Sequence, residues 1–194
     1  MKISDKVQDR LLGIITDFGD EAHGEQLRKY APDRYMVHPV RVMQKLHEYT
    51  NDISMLAAAL LHDVLEDTPV TESEMLQFLE QHLTKEQAKR TVNLVIELSD
   101  VYTWEKYKHL NRKARKALEL ERLKTTSADS QTIKYSDILD NSLEISEEDP
   151  GFAKKYLCEV NLVLKELDKG NPQLREEAQN AVNNGLKKLK NVKC

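Results

Sequence analysis

Apolar residues recur at helical spacing, i, i+3 and i+4, along almost the whole chain, and no segment shows the alternation of a half-buried β-strand. Only 6 Gly and 5 Pro interrupt the 194 residues, a content too low for a collagen-like or linker-like chain. The pattern predicts an all-α fold, a helical bundle of about eight to ten helices. The predicted helices span about 7–22, 39–49, 52–68, 71–82, 84–98, 103–124, 132–146, 150–167 and 172–190.

One domain over residues 1–194 is the expected organisation, because this length suits a single core and no long linker is present. No apolar run approaches the ~20 residues of a membrane-spanning helix. The charged N-terminus lacks the apolar region of a secretory signal, and two cysteines are too few for a disulfide framework. We therefore expect a cytoplasmic protein with free thiols and no membrane partner, and the sequence leaves its oligomeric state open.

The charge balance argues against a nucleic-acid partner. Lys and Arg number 29 and Asp and Glu number 33, for a net charge of −4, so no global positive field attracts a phosphate polymer. A small anionic ligand remains compatible with this balance, because a bound cation or a local basic cluster can dominate the field inside a cleft. The charge balance therefore argues against general nucleic-acid binding and leaves a small anionic ligand open.

The predicted helix over 52–68 changes character along its length. Its first part is apolar, whereas His62, Asp63, Glu66 and Asp67 fall within about 140° of one another on a helical wheel. Burying such groups beside an apolar segment is costly unless a metal ion or strong partners compensate. A His-Asp pair also arises by chance, but the second carboxylate pair one turn later favours a functional site.

Further ligand candidates lie upstream and downstream of this helix. His38 stands just before Pro39. Asp137 stands one turn before Asn141, so the side chains of Asp137 and Asn141 point to the same side of their helix. Two histidines and two carboxylates suit Mn²⁺, Fe²⁺ or Zn²⁺ and leave positions for water and a phosphate oxygen. Lys134, one turn before Asp137, is expected either to balance carboxylates or to contact phosphate.

Three motifs carry a resemblance to a known family. YMVHP at 35–39, LLHDVLEDT at 60–68 and IKYSDILDN at 133–141 occur in this order and at compatible spacing. The chain resembles the hydrolase domain of the RelA/SpoT homologues, within the HD-domain metal-dependent phosphohydrolases, and in particular the small alarmone hydrolases of the metazoan SpoT homologue type. The resemblance implies a single HD phosphohydrolase domain, with a motif-bearing core over about 18–170 and a C-terminal helix over about 172–190.

The resemblance also implies a role for each matching residue. The metal ligands, with Mn²⁺ as the implied ion, are His38, His62, Asp63 and Asp137. Glu66 and Asp67 match the pair that orients and deprotonates the attacking water. The residues that match nucleotide contacts are Arg28, Lys29, Asn141 and Tyr156.

The activity implied by the resemblance is hydrolysis of guanosine 3′,5′-bis(diphosphate), (p)ppGpp, to GDP or GTP and pyrophosphate. A divalent ion lowers the pKa of a water that it binds, and a nearby carboxylate can accept the proton, so a metal-activated water is the nucleophile. The chain departs from the family at Ile138, Leu143 and Glu144, where the family has basic or polar residues. Two alternatives stay open: a phosphohydrolase that acts on another nucleotide, and a non-catalytic nucleotide-binding module.

Overall fold

The computed structural model describes residues 5–29 and 33–189. Within these ranges there is no β-strand, and the one extended pairing is an antiparallel bridge between Leu27 and Arg34. Ten helices occupy most of the described residues, which confirms the predicted all-α fold. They are α1 (Asp5–His23), α2 (Val37–His47), α3 (Ile53–Leu61), α4 (Val64–Asp67), α5 (Glu72–Leu79), α6 (Lys85–Leu98), α7 (Arg112–Leu123), α8 (Ala128–Glu148), α9 (Pro150–Glu166) and α10 (Pro172–Lys188).

Local capping signals determine where several helices begin. Thr71 and Thr84 each form a capping box, in which the threonine side chain accepts a hydrogen bond from the N–H of the third helical residue and the threonine N–H donates to the side chain of that residue. The Asp52 carboxylate accepts hydrogen bonds from the backbone N–H groups of Ser54 and Met55, at 2.9 and 3.2 Å. These caps start α5, α6 and α3 close to the predicted positions.

Two predicted boundaries were wrong by several residues. The predicted helix over 103–124 begins only at Arg112, because the Asn111 side chain accepts a hydrogen bond from the N–H of Ala114 at 2.9 Å and caps the helix there. In contrast, α8 begins at Ala128 and not near 132, because Ser127 accepts from the N–H of Ser130 at 3.2 Å.

The predicted helix over 52–68 is interrupted at His62 and Asp63, which separate α3 from α4. His62 Nδ1 donates to the carbonyl oxygen of Ala59 at 2.8 Å. In a continuous helix that carbonyl would accept the backbone N–H of Asp63, so the imidazole competes with the helical hydrogen bond. The helices α3 and α4 are therefore separate, although His62 and Asp63 between them keep right-handed helical backbone angles.

The helices form two compact units, one up to Ser99 and one from Asp100 onward, here called the first and second units. In the first unit α3 packs against α1, α2 and α6. All nine residues of α3 are buried, including Ser54, whose hydroxyl donates to the carbonyl oxygen of Gln87 in α6. The expectation of a single domain over 1–194 stays a prediction.

In the second unit α8 packs against α9 and α10. Polar side chains of α8 bind the connection between those two helices: Tyr135 donates to the carbonyl oxygen of Leu167 at 2.9 Å, and Gln131 accepts from the N–H of Lys169 at 2.9 Å. The N–H of Asn171 donates to Thr132 Oγ1 at 2.9 Å. These bonds satisfy backbone groups that the turn leaves without helical partners.

Two further sequence expectations concern cysteines and membranes. Cys158, in α9, is disulfide-bonded, so the expectation of a free thiol there was wrong. The other cysteine of the chain, Cys194, lies outside the described residues. Among the helices over 5–29 and 33–189, none combines the length and the apolar character needed to cross a bilayer.

Candidate metal centre

Two buried histidines lie at the centre of the candidate site in the first unit. His38 is in the first turn of α2 and His62 directly follows α3, and they are 1% and 3% exposed. Their rings meet edge to face, with centroids 5.2 Å apart. The carboxylate of Asp63 lies beside both, with Oδ2 at 3.2 Å from His62 Nε2 and at 4.0 Å from His38 Nε2.

The hydrogen bond of His62 determines which nitrogen of its ring can bind a cation. Since Nδ1 donates to the carbonyl oxygen of Ala59, the neutral imidazole carries its lone pair on Nε2. Donation from the second ring nitrogen to a backbone carbonyl is also what orients histidines that bind metals in proteins. The tautomer and the direction of Nε2 toward Asp63 Oδ2 therefore fit a cation ligand.

The hydroxyl of Tyr35 lies between two of the predicted carboxylates. It is 2.8 Å from Asp63 Oδ2 and 2.7 Å from Asp67 Oδ2. Burial raises the pKa of this phenol, and the charges of Asp63 and Asp67 raise it further, so Tyr35 keeps its proton. Glu66, which precedes Asp67 in α4, is exposed.

Tyr35 is a site residue that our sequence analysis missed. It lies in the YMVHP motif, three residues before His38, and this proximity was the available signal. Its ring stacks on the buried imidazole of His23, with centroids 4.2 Å apart and an interplanar angle of 20°. His23 at the end of α1 therefore packs against Tyr35, whose hydroxyl contacts the carboxylates of Asp63 and Asp67.

In the second unit Asp137 is buried on α8, and both of its carboxylate oxygens are bound. Asn141 Nδ2 donates to Oδ1 at 2.6 Å, and Lys134 Nζ lies 2.9 Å from Oδ2. Burial by itself lowers the pKa of Lys134, but the charges of Asp137 and Asp100 outweigh it and raise the pKa. Of the two predicted roles of Lys134, the structure favours the balancing of carboxylates.

The structure places the remaining predicted contacts as follows. Arg28 is half-buried, with its guanidinium carbon 5.7 Å from the centroid of the Tyr35 ring, and Lys29 beside it is exposed. Tyr156 is half-buried on α9. In the first unit, then, the structure brings His38, His62, Asp63 and Asp67 together, and in the second unit it brings Asp137 and Asn141 together.

The positions that depart from the RelA/SpoT pattern differ in their surroundings. Ile138 is 1% exposed and belongs to the core, whereas Leu143 is 60% exposed on the same helix. Glu144 is half-buried. Position 138 therefore lies inside the unit, while position 143 lies on its surface.

Comparison with known proteins identifies the family of this chain. The family model described as the HD domain matches residues 16–151, which is more than half of the 194 residues. The chain belongs to the HD-domain family. This confirms the family resemblance that the three sequence motifs predicted.

The human guanosine-3′,5′-bis(diphosphate) 3′-pyrophosphohydrolase MESH1 is 33% identical to this HD-domain protein in an alignment of 168 positions that covers 82% of this chain and 86% of the human protein. A probable guanosine-3′,5′-bis(diphosphate) 3′-pyrophosphohydrolase of Mycoplasma pneumoniae is 29% identical over 72% of this chain. This chain spans only 19% of the length of the Mycoplasma protein. A guanosine-3′,5′-bis(diphosphate) 3′-pyrophosphohydrolase of Aquifex aeolicus is 42% identical over 69 residues, and this chain spans 10% of its length.

A solved structure described as a metazoan ortholog of SpoT that hydrolyzes ppGpp has a TM-score of 0.71 and covers 99% of both chains at 22% identity. At this level of identity the likeness establishes the fold. An HD domain implies a divalent metal ion. The paired imidazoles and the carboxylate of Asp63 fit such an ion, because nitrogen and carboxylate ligands together suit Mn²⁺, Fe²⁺ and Zn²⁺.

Proposed function

We propose that this HD-domain protein hydrolyses (p)ppGpp to GDP or GTP and pyrophosphate. The observation that carries the proposal is the cluster in the first unit, where two buried imidazoles share Asp63 Oδ2 and Asp67 lies one turn further along. The human relative named for this reaction supports the substrate, because this chain covers 86% of its length.

The proposed ligands of the metal ion are His38, His62, Asp63 and Asp137, and the proposed ion is Mn²⁺, with Fe²⁺ and Zn²⁺ as alternatives. All three of His38, His62 and Asp137 are buried and each offers a ligand atom. The ion would supply a Lewis acid for phosphate oxygens and would lower the pKa of the attacking water. Asn141 holds Asp137 Oδ1 and thereby limits rotation of that carboxylate.

The carboxylates of α4 are the proposed acid–base groups. Glu66 and Asp67 are both exposed, so they can reach a water molecule and pass its proton to solvent. In the proposed reaction the water oxygen attacks the phosphorus bonded to the ribose 3′ oxygen, that P–O bond breaks, and the 3′ oxygen leaves and gains a proton. Pyrophosphate and a 5′-phosphorylated guanosine are the products.

The proposed nucleotide contacts are Arg28, Lys29, Asn141 and Tyr156. Arg28 and Lys29 are cationic, and the guanidinium of Arg28 lies near the ring of Tyr35, which favours an anionic substrate. The proposal includes a cytoplasmic location and a small nucleotide as the partner, and it involves neither nucleic acid nor a membrane.

A direct assay tests the proposal. Purified protein with Mn²⁺ is expected to release pyrophosphate from ppGpp, and Asp63→Asn and Glu66→Gln are expected to reduce kcat by at least about 100-fold. Glu80→Gln, which changes an exposed glutamate after α5, is the matched control and should retain wild-type turnover. Turnover that survives both site substitutions, or nucleotide binding without any turnover, contradicts the proposal.

The residues at 138, 143 and 144 favour one second candidate, a phosphohydrolase that acts on a different nucleotide. Leu143 and Glu144 put an apolar and an acidic side chain where the family has basic and polar ones. The discriminating experiment is a panel of ppGpp, nucleoside monophosphates and 3′-phosphorylated nucleotides, read for pyrophosphate against orthophosphate. A higher kcat/KM for orthophosphate release from a monophosphate would favour the second candidate.

A further inference from the structure

The contact of one phenol with two carboxylates is the strongest feature that the proposed function leaves unexplained. Asp63 and Asp67 are four residues apart, and like charges at this helical spacing repel each other. Yet Oδ2 of each approaches the same Tyr35 oxygen to hydrogen-bonding distance, at 2.8 and 2.7 Å. The single hydrogen of this hydroxyl is therefore shared between the two carboxylates, which holds both Oδ2 atoms close to one point.

The two carboxylates have different proposed tasks. Asp63 Oδ2 is also the oxygen that faces His62 Nε2 at 3.2 Å, so it belongs to the proposed ligand set. Asp67 belongs to the proposed acid–base pair. Asp63 makes no side-chain hydrogen bond as the cap of α4, so its carboxylate is directed toward His62 and Tyr35 and away from the helix backbone.

The backbone and ring of Tyr35, at the other end of the residue from the hydroxyl, are held by contacts at the end of α1 and in the connection that follows it. The N–H of Tyr35 donates to the carbonyl oxygen of Gln26 at 3.0 Å, and its ring stacks on His23. The preceding residue, Arg34, binds Asp20 of α1 through two hydrogen bonds of 3.0 and 2.9 Å. The ring of Tyr35 and the side chain of Arg34 are thus held by residues of α1, and the backbone is held by Gln26 just after α1, which leaves the phenol oxygen little freedom.

We propose that Tyr35 is a positioning residue, whose hydroxyl sets the spacing between the metal-ligand carboxylate of Asp63 and the acid–base carboxylate of Asp67. This inference rests on the proposed function for the task of Asp67. The orientation of Asp63 by Tyr35 affects metal affinity whatever the substrate. Hydrogen bonds that orient metal ligands commonly contribute about 10- to 100-fold in metal affinity or activity.

The test compares Tyr35→Phe with Tyr35→Leu. Phenylalanine keeps the ring that stacks on His23 and removes only the hydroxyl, whereas leucine removes both. We expect Tyr35→Phe to weaken Mn²⁺ binding by the nucleotide-free protein about 10-fold, measured by electron paramagnetic resonance of unbound Mn²⁺. We also expect kcat for ppGpp to fall at least about 10-fold at saturating Mn²⁺, with KM changed by less than about 3-fold. Tyr107→Phe, in the second unit, is the matched control.

A double-mutant cycle separates positioning from packing. If Tyr35 acts through Asp67, then adding Tyr35→Phe to Asp67→Asn should lower kcat by less than about 2-fold, because the group that Tyr35 positions is already lost. Thermal unfolding of each variant shows whether it is folded. Additive losses of kcat in the cycle would overturn the role toward Asp67.

Other outcomes also decide the proposal. If Tyr35→Phe kept wild-type Mn²⁺ affinity and kcat and only Tyr35→Leu lost them, the ring alone would matter. That result would overturn the proposal. If the wild-type protein releases no pyrophosphate from ppGpp, the proposed function fails, and Mn²⁺ affinity still tests the orientation of Asp63. An unchanged Mn²⁺ affinity in Tyr35→Phe would then overturn the proposal independently.

Discussion

Lys134 and Asp100 illustrate how single side chains offset the cost of burying charge in the second unit. Lys134 Nζ binds Asp137 Oδ2 at 2.9 Å, and Lys116 Nζ binds Asp100 Oδ2 at 2.6 Å. Burial raises the pKa of the Asp100 carboxyl, but Lys116, Lys134 and Arg122 outweigh burial and lower it. Asp100 and Asp137 thus share Lys134 as a source of positive charge, and neither acid is independent of the other.

Asp100→Asn should therefore destabilise the protein in a pH-dependent way. Because the folded pKa of Asp100 lies below its unfolded value, its stabilising contribution is present above the unfolded pKa and is lost as the pH falls through the folded pKa. We expect a free energy of unfolding lower by about 2 kcal/mol at pH 7, with the difference shrinking below about pH 4. Urea unfolding at pH 7 and pH 3 measures it.

The exposed Asp168 provides the control for that experiment, and Asp168→Asn should unfold like the wild type at pH 7. If Asp100→Asn lowered the free energy of unfolding by the same amount at pH 7 and at pH 3, the carboxylate charge would not be the cause.

At the scale of helices, the sequence predicts those features that depend on neighbouring residues. The capping boxes at Thr71 and Thr84 could be predicted because threonine and its partner are three residues apart. The separation of α3 from α4 at His62 and Asp63 could not, since it accompanies a bond from the His62 imidazole to the carbonyl of Ala59 that no capping pattern signals. The same reasoning applies to the candidate site: the motifs supply the proposed ligands, whereas the contact of Tyr35 with Asp63 and Asp67 required the fold.

Gly170 is the residue on which the connection between α9 and α10 most depends. A Cβ at this position would lie 2.5 Å from Tyr135 Cε2 and 2.8 Å from the backbone nitrogen of Thr132. Since the backbone cannot move aside cheaply, Gly170→Ala should reduce the free energy of unfolding by about 1–3 kcal/mol. Gly13→Ala in α1 is the matched control, because its Cβ would meet nothing within 4 Å.

Gly13→Ala should stabilise the protein by about 0.5–1 kcal/mol, since alanine favours the helix more than glycine does. Chemical denaturation of both variants provides the comparison. If Gly170→Ala were as stable as Gly13→Ala, the close approach of α8 to this connection would not constrain the sequence.

At the scale of the whole molecule, the proposed ligand set takes His38, His62 and Asp63 from the first unit and Asp137 from the second. A ligand that binds only the folded state stabilises it by about 2.7 kcal/mol when its free concentration is 100 times its Kd. Mn²⁺ should therefore raise the Tm by several degrees, and a chelator should reverse the increase.

The increase in Tm should disappear in His62→Ala and equally in Asp137→Ala, as measured by differential scanning calorimetry with and without Mn²⁺. Asp168→Asn should keep the full increase. An Asp137→Ala variant that responds to Mn²⁺ like the wild type would remove Asp137 from the ligand set while leaving the histidines in it.

The burial of α3 on every side bears on how this chain can change over evolutionary time. A helix with one face in water accumulates neutral substitutions on that face. None of the nine positions from Ile53 to Leu61 faces water, because all nine residues are buried. Each substitution there changes the volume of a packed interior. His62 and Asp63 follow directly, so these two proposed metal ligands are joined to a stretch of sequence in which any substitution disturbs the packing.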